Sequence, residues 1–328
     1  MTAIAPHMTF YLRDYLAKQK DASPYTRETY AYSFQLLFNF ASEKLKLPPS
    51  SIELEQIDAP LITDFLEYIE VTKGNVPSTR NLRLASIKSF FRFLEFRIPA
   101  SLEQCCRIYA IPKKKTDSKL VHYLNKEETH AILDAPNIKT RTGTRDYAII
   151  QLMLATGVRV SELIGLRLDD ITLEPTANIF IRGKGRKERS LPLWKETATN
   201  LRSWLAVRGK VPVPELFINS RNEQLSRWGI AHILKKYTTL ASRQCSSLNK
   251  KSVSPHVLRH TCAMAVLQAT KDIRKVALWL GHSGIQTTEV YLRSDPTEKL
   301  EAINLITPPN IRKGQFDVVD SLIATLKE

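Results

Sequence analysis

The chain has 328 residues, 43% apolar and 25% charged, which is long enough for two domains that each bury a core and ordinary for a soluble globular protein. Its 48 Lys and Arg against 33 Asp and Glu give a formal charge of +15, a balance that favours a polyanionic partner. The apolar run 147–158 is too short to cross a bilayer, and Cys105, Cys106, Cys245 and Cys262 form no C-x-x-C pair, so no transmembrane helix is found and neither a zinc site nor a disulfide framework is suggested.

The chain opens without a basic segment followed by an apolar one, so secretion is not expected and a cytoplasmic protein is (nucleoid-associated in a bacterium). Phe10 to Leu16 starts an amphipathic stretch that stops at the polar run Lys18 to Ser23, and Pro24 suits the first turn of a new helix. Thr26 to Leu45 sets Tyr30, Phe34, Leu37, Phe38 and Ala41 on one stripe, and Pro48-Pro49 ends it. A third helix is predicted from about Pro60 to Val71. A fourth begins near Ser78 as cap and carries Leu82, Ala85, Ile87, Phe90, Phe91 and Leu94. Phe34, Phe38, Phe90 and Phe93 read as packing, and Arg80, Arg83, Lys88 and Arg92 as an opposite, phosphate-facing side.

Residues 111–118 read as an interdomain linker, where Pro112 breaks helix and Lys113, Lys114 and Lys115 repel one another into an extended segment suited to a polyanionic partner. Residues 1–115 hold 16 basic and 12 acidic side chains, and residues 116–328 hold 32 and 21, so the second segment supplies most of the positive field. That segment is mostly helical, with two short strands, 178–182 and 188–193, around a Gly-containing turn. Helices are predicted near 195–208, 226–242, 255–269 and 272–280. The stretch 244–251 reads as a polar, flexible loop, and an apolar-faced helix is predicted at 316–326 after Pro308-Pro309. The fold class is therefore mainly α with a small antiparallel β-sheet: a helical domain over 1–115 and a mixed α/β domain over 119–328.

Four patches in the second segment hold residues suited to chemistry: Arg159 just after Gly157 at a helix start, Lys184 between two glycines, His256-x-x-Arg259-His260 with His256 and Arg259 on one helical face, and His282 followed nine positions later by Tyr291. Singly, each has an ordinary structural reading. No carboxylate stands at ligand spacing beside the scattered histidines, so no metal site is expected, and no G-x-x-x-x-G-K-[ST] loop supports nucleotide hydrolysis. Together the patches describe a phosphodiester-cleaving site. Two planar guanidinium groups, Arg159 and Arg259, suit the charge that builds on nonbridging oxygens. Lys184 suits a general acid for the leaving oxygen, and Tyr291, whose phenol has an unperturbed pKa of about 10, is a nucleophile that needs activation. His256 is placed to assist as base, and His282 to bond the phosphate or orient its neighbours.

The stretches A-T-G-V-R-V-S-E-L, G-K-G-R-K-E-R, P-H-V-L-R-H-T and L-G-H-S-G-I-Q-T-T-E-V-Y resemble, in residue type, order and spacing across about 150 to 295, the tyrosine recombinase (phage integrase) family. The resemblance implies an active-site set of Arg159, Lys184, His256, Arg259 and His282 with Tyr291 as nucleophile. It also implies Glu162 as an acidic support beside the first arginine, and His260 as structural. More loosely, 1–115 resembles the family's helical core-binding domain, which closes with the catalytic domain around DNA. The likeness is to two-domain members, Xer-type recombinases and mobile-element integrases (the latter slightly preferred), without a further arm-binding domain. It implies site-specific recombination of duplex DNA through a 3′-phosphotyrosyl intermediate and a Holliday junction, by a tetramer, with no cofactor, metal or ATP. Accessory proteins and the target sequence are not implied. A type IB topoisomerase, a non-catalytic DNA-binding regulator and an RNA-binding protein are the competing readings of the same charge and helices.

Overall fold

The computed structural model describes residues 2–116, 121–183, 188–282 and 284–294. Two compact units divide the chain, Met1–Ser118 and Lys119–Glu328. The architecture is mainly helical with a three-stranded antiparallel sheet. Among the described residues no helix is long and apolar enough to cross a membrane.

In the first unit, α1 (Ile4–Phe10) runs on through a π-helical segment, Tyr11–Gln19, and is followed by α2 (Pro24–Leu45), α3 (Ala59–Val71), α4 (Pro77–Glu95) and α5 (Leu102–Ala110). Local chemistry starts two of these helices. Ser23 accepts from Thr26 N with Pro24 at the first position, and Asp58 accepts from Leu61 N at 2.8 Å. Helix α4 corrects one expectation, since it starts at Pro77 and Ser78 lies inside it without capping. The core packs Phe34, Leu37, Ile87, Phe90 and Phe91, as the apolar spacing predicts, together with Phe65 of α3.

The basic face expected on α4 is also corrected. Arg80 and Arg83 are buried while Leu82 is 44% exposed, because partners from other elements reach the arginines. Arg80 Nη1 donates to Pro112 O at 2.8 Å, and Arg83 Nη1 donates to Ser33 Oγ at 2.9 Å. Lys88 Nζ donates to Tyr109 O and Ile111 O, at 2.7 and 2.6 Å, and its burial, with Lys113 and Arg80 nearby, lowers its pKa. Arg92, Lys113 and Lys115 remain exposed. The segment after α5 is strapped down rather than held off by its own charge. Lys114 N and O bond the Asn81 side chain, and Lys114 Nζ meets Glu70 at 2.7 Å.

The second unit runs α6 (Lys126–Asp134), α7 (Arg141–Thr156), α8 (Val160–Ile164), β1 (Ile171–Thr172), β2 (Asn178–Arg182), β3 (Glu188–Pro192), α9 (Lys195–Arg208), α10 (Arg227–Ala241), α11 (Pro255–Thr270), α12 (Ile273–Leu280) and α13 (Glu289–Ser294). Strand β2 pairs with both neighbours, with Ile179 opposite Leu191 and Ile181 opposite Arg189. Partners across antiparallel strands share a face, so Arg189 points inward with Ile179, Ile181 and Leu191. The core gathers Ile149, Ile150, Met153, Leu201, Trp204, Phe217, Leu234 and Leu258. The segment 244–251 is not loose: Ser247 Oγ and Lys251 Nζ both donate to Glu128, each at 2.7 Å, and Glu128 closes the capping box of α6 with Asn125. The predicted helix at 316–326 lies outside the described residues.

Candidate active site

Helix α7 ends at Gly157 in the left-handed conformation (φ 59°), and a Cβ there would stand 2.6 Å from Leu280 Cδ2. The tight turn delivers Arg159 to the start of α8. Glu162 then reaches back, accepting from Arg159 N at 2.9 Å and from Arg159 Nη1 at 2.8 Å. Its carboxylate also takes Arg189 from β3, with Nη2 at 2.9 Å and Nη1 at 3.3 Å. Burial pushes the Glu162 carboxyl up, but the Arg189 and Arg159 hydrogen bonds and charges outweigh it and hold it below the ordinary carboxylate range. One buried carboxylate therefore orients two arginines.

Arg259 comes from α11. Its Nη1 donates to Gly157 O and its Nη2 to Leu280 O at 2.8 Å, so the guanidinium ties the α7–α8 turn to the end of α12. Burial first, then the Arg159 charge, pushes its pKa down to about 10. Helix α12 closes on Gly281 (φ 64°), where a Cβ would meet Arg189 at 3.0 Å. The next residue, His282, has Nδ1 2.8 Å from Thr288 Oγ1, and burial with the Arg259, Arg159 and Arg189 charges brings its pKa down to about 4. Neutral imidazole is thus the resting form at pH 7.

Tyr291 is 2% exposed on α13, packed among Ala263, Met264, Leu267, Val276 and Leu280. Its hydroxyl lies 3.0 Å from His260 Nδ1. Burial raises the phenol pKa, and the Arg259 and Arg159 charges pull it back. His256 is exposed at the start of α11, its ring 6.4 Å from that of His260.

Arg159, His256, Arg259, His282 and Tyr291 line one cleft of about 790 Å³, together with Arg189 and His260. Gly183 and Glu188, at the two stems of the β2–β3 hairpin, also line it, while Lys184 lies outside the described residues. Sequence reasoning passed over Arg189 and assigned His260 a structural part. The period-2 alternation of β3, which puts Arg189 with Leu191, and the one-turn spacing of His256 and His260 are the signals that find them.

The phage integrase family model matches residues 122–298, and the phage integrase N-terminal SAM-like domain matches residues 11–97. A putative integrase/recombinase y4rC of Sinorhizobium fredii is 40% identical over 324 residues, covering 99% of this chain and 98% of that protein. A tyrosine recombinase XerC of Myxococcus xanthus is 34% identical, covering 89% and 94%. The solved structure of the XerH site-specific recombinase bound to palindromic difH substrate, a post-cleavage complex, is 25% identical with a TM-score of 0.68, covering 90% of this chain and 83% of that one.

Proposed function

This chain belongs to the phage integrase family, the site-specific tyrosine recombinases, and on that footing we propose that it cuts and rejoins duplex DNA at a specific site with Tyr291 as nucleophile. The observation that carries this reading is the meeting of Tyr291 with Arg159, Arg259 and His282, drawn from three separated stretches of sequence, in one cationic cleft.

In the proposed reaction the scissile phosphate sits against Arg159 and Arg259, whose guanidinium groups stabilise charge on the nonbridging oxygens as it grows. Tyr291 attacks phosphorus, forming a 3′-phosphotyrosyl bond as the 5′-oxygen leaves with a proton from Lys184. His282, held by Thr288, bonds the phosphate, and Glu162 with Arg189 keeps Arg159 in register. His256, at the rim, contacts the DNA or supports proton movement. The phosphodiester energy is kept in the protein–DNA link, so rejoining needs no ATP. The freed hydroxyl of a partner duplex then attacks, and two rounds exchange strands through a Holliday junction within a tetramer.

The first unit serves as the core-binding domain, and Arg92, Lys113 and Lys115 are the exposed cations of the sequence prediction left for phosphate contact. A nicked duplex pool of randomised sequence, incubated with the full-length protein and recovered as covalent adduct, tests the reading and yields the site. Tyr291→Phe is expected to form no adduct while still retaining DNA in a mobility-shift assay. A persisting adduct sinks the assignment.

A further inference from the structure

Among the described residues, the imidazole of His260 lies within hydrogen-bond reach of the Tyr291 hydroxyl. His260 Nδ1 lies 3.0 Å from Tyr291 Oη, and the two rings meet edge to face with centroids 5.6 Å apart. Helix α11 arranges both sides of this contact. It packs Tyr291 through Ala263, Met264 and Leu267, and one turn earlier it presents His260 to the phenol oxygen. His256 stands a further turn back, exposed, with its ring beyond that of His260.

We propose, resting on the reading of Tyr291 as nucleophile, that His260 is a catalytic residue that receives the phenolic proton as Tyr291 attacks phosphorus. The step balances. The Oη–P bond forms, the P–O5′ bond breaks, the Oη proton passes to His260 Nδ1, and the leaving oxygen takes its proton from the separate acid, Lys184. On rejoining, the attacking 5′-hydroxyl gives its proton to that acid's conjugate base, the Oη–P bond breaks, and His260 returns its proton to Tyr291.

The surroundings suit this role. Burial, then the charges of His256 and Arg259 on the same helix, bring the His260 pKa down to about 4, so the ring is neutral at pH 7. With its proton on Nε2, it offers Nδ1 a free lone pair. Among the described residues, Tyr291 from α13 and His282 from the turn after α12 also stand in this corner, and neither brings a positive charge at neutral pH. An anionic phosphate seated on Arg259 offsets part of the cationic field that depresses the imidazole. The base is therefore weak in the empty cleft and gains basicity as the phosphate arrives.

The test uses the full-length protein and a nicked duplex obtained by the covalent capture described above. His260→Ala is expected to slow single-turnover adduct formation about 100- to 10,000-fold with duplex binding unchanged, and added imidazole to restore part of the rate. His260→Gln keeps a polar group beside Oη but takes no proton, and is expected to remain as slow. Adduct formation by His260→Gln within about threefold of the unaltered protein would overturn proton transfer, as would a folded His260→Ala that imidazole does not speed. If His260→Ala does not fold, the glutamine variant decides alone. Tyr291→Phe separates the two readings. An adduct surviving there removes the nucleophile itself, whereas an adduct-free Tyr291→Phe beside a fast His260→Gln removes only the base.

Discussion

Both units bury arginines to join their own elements, Arg80 and Arg83 in the first and Arg145 and Arg208 in the second, but one cleft of the second turns arginines to another end. In the first, Arg80 and Arg83 donate to a carbonyl and a hydroxyl of their own unit, Pro112 O and Ser33 Oγ, while Glu70 lies 3.9 Å from Arg80 and meets Lys114. Their charge is spent on joining helices and on strapping down the segment after α5. In the second, Arg159, Arg189 and Arg259 line a cleft where Glu162 is the carboxylate that answers the first two. Burial first, and then the surplus positive charge, lowers the Arg259, His260 and His282 pKa values, as expected where an anion has yet to arrive. A buried arginine is thus not a mark of function by itself. The mark is an excess of oriented cations facing a cleft that also holds a reactive group.

Three measurements break or sharpen this contrast. All 4 tryptophans (Trp194, Trp204, Trp228 and Trp279) lie in the second unit, so tryptophan fluorescence reads the unfolding of that unit. Arg189→Met removes one of the two guanidinium partners of Glu162. It is expected to destabilise the second unit by about 2–3 kcal/mol, less than the roughly 3–5 kcal/mol that breaking a buried pair costs, because Arg159 and its backbone N–H still hold the carboxylate. Adduct formation should slow as well, since Arg159 loses its rigid support. Unchanged stability would mean that the contact is incidental.

The second measurement concerns pH. His260 and His282 have folded pKa values near 4, whereas the unfolded chain takes up protons near 6.5. The unfolded state binds more protons between those values, so stability is full above about pH 6.5 and falls as the pH drops toward 4. Both rings are half-buried, so a total loss of about 1–2 kcal/mol is expected after discounting for solvent. Urea midpoints followed by fluorescence at several pH values check it, and the slope should halve in His282→Gln. The smallest effect is expected from Arg83→Met, about 1 kcal/mol from the lost hydrogen bond to Ser33, with no change in cleavage of prebound DNA. Far-ultraviolet circular dichroism should register that change while the tryptophan midpoint stays put. A shift in the tryptophan midpoint would show that the two units unfold together.

Much of the architecture was legible because local chemistry encodes it. Helix α9 and strand β2 occupy the predicted residues, and α2, α3, α10, α11 and α12 fall within a residue or two of them, since periodicity, prolines and glycines act over one or two turns. Helices α6 and α7 were not predicted individually, although the capping box of Asn125 and Glu128 was there to read. The start of α4 went to Ser78 rather than Pro77 because a serine is a good cap but a proline pre-sets the first turn.

By itself, then, the sequence determined the helical class, the hairpin, and an ordered set of residue types whose chemistry and family likeness point to DNA strand exchange. Tertiary structure alone decided which side of α4 is inside, because Ser33, Tyr109 and Pro112 arrive from other elements to satisfy cations that a periodicity argument turns toward solvent. It also decided which histidine meets the tyrosine. His256 and His260 stand one turn apart on the same face, so spacing treats them alike. Only the seating of α13 against α11, with Tyr291 standing 31 positions after His260, sets one of them 3.0 Å from the phenol and leaves the other at the rim.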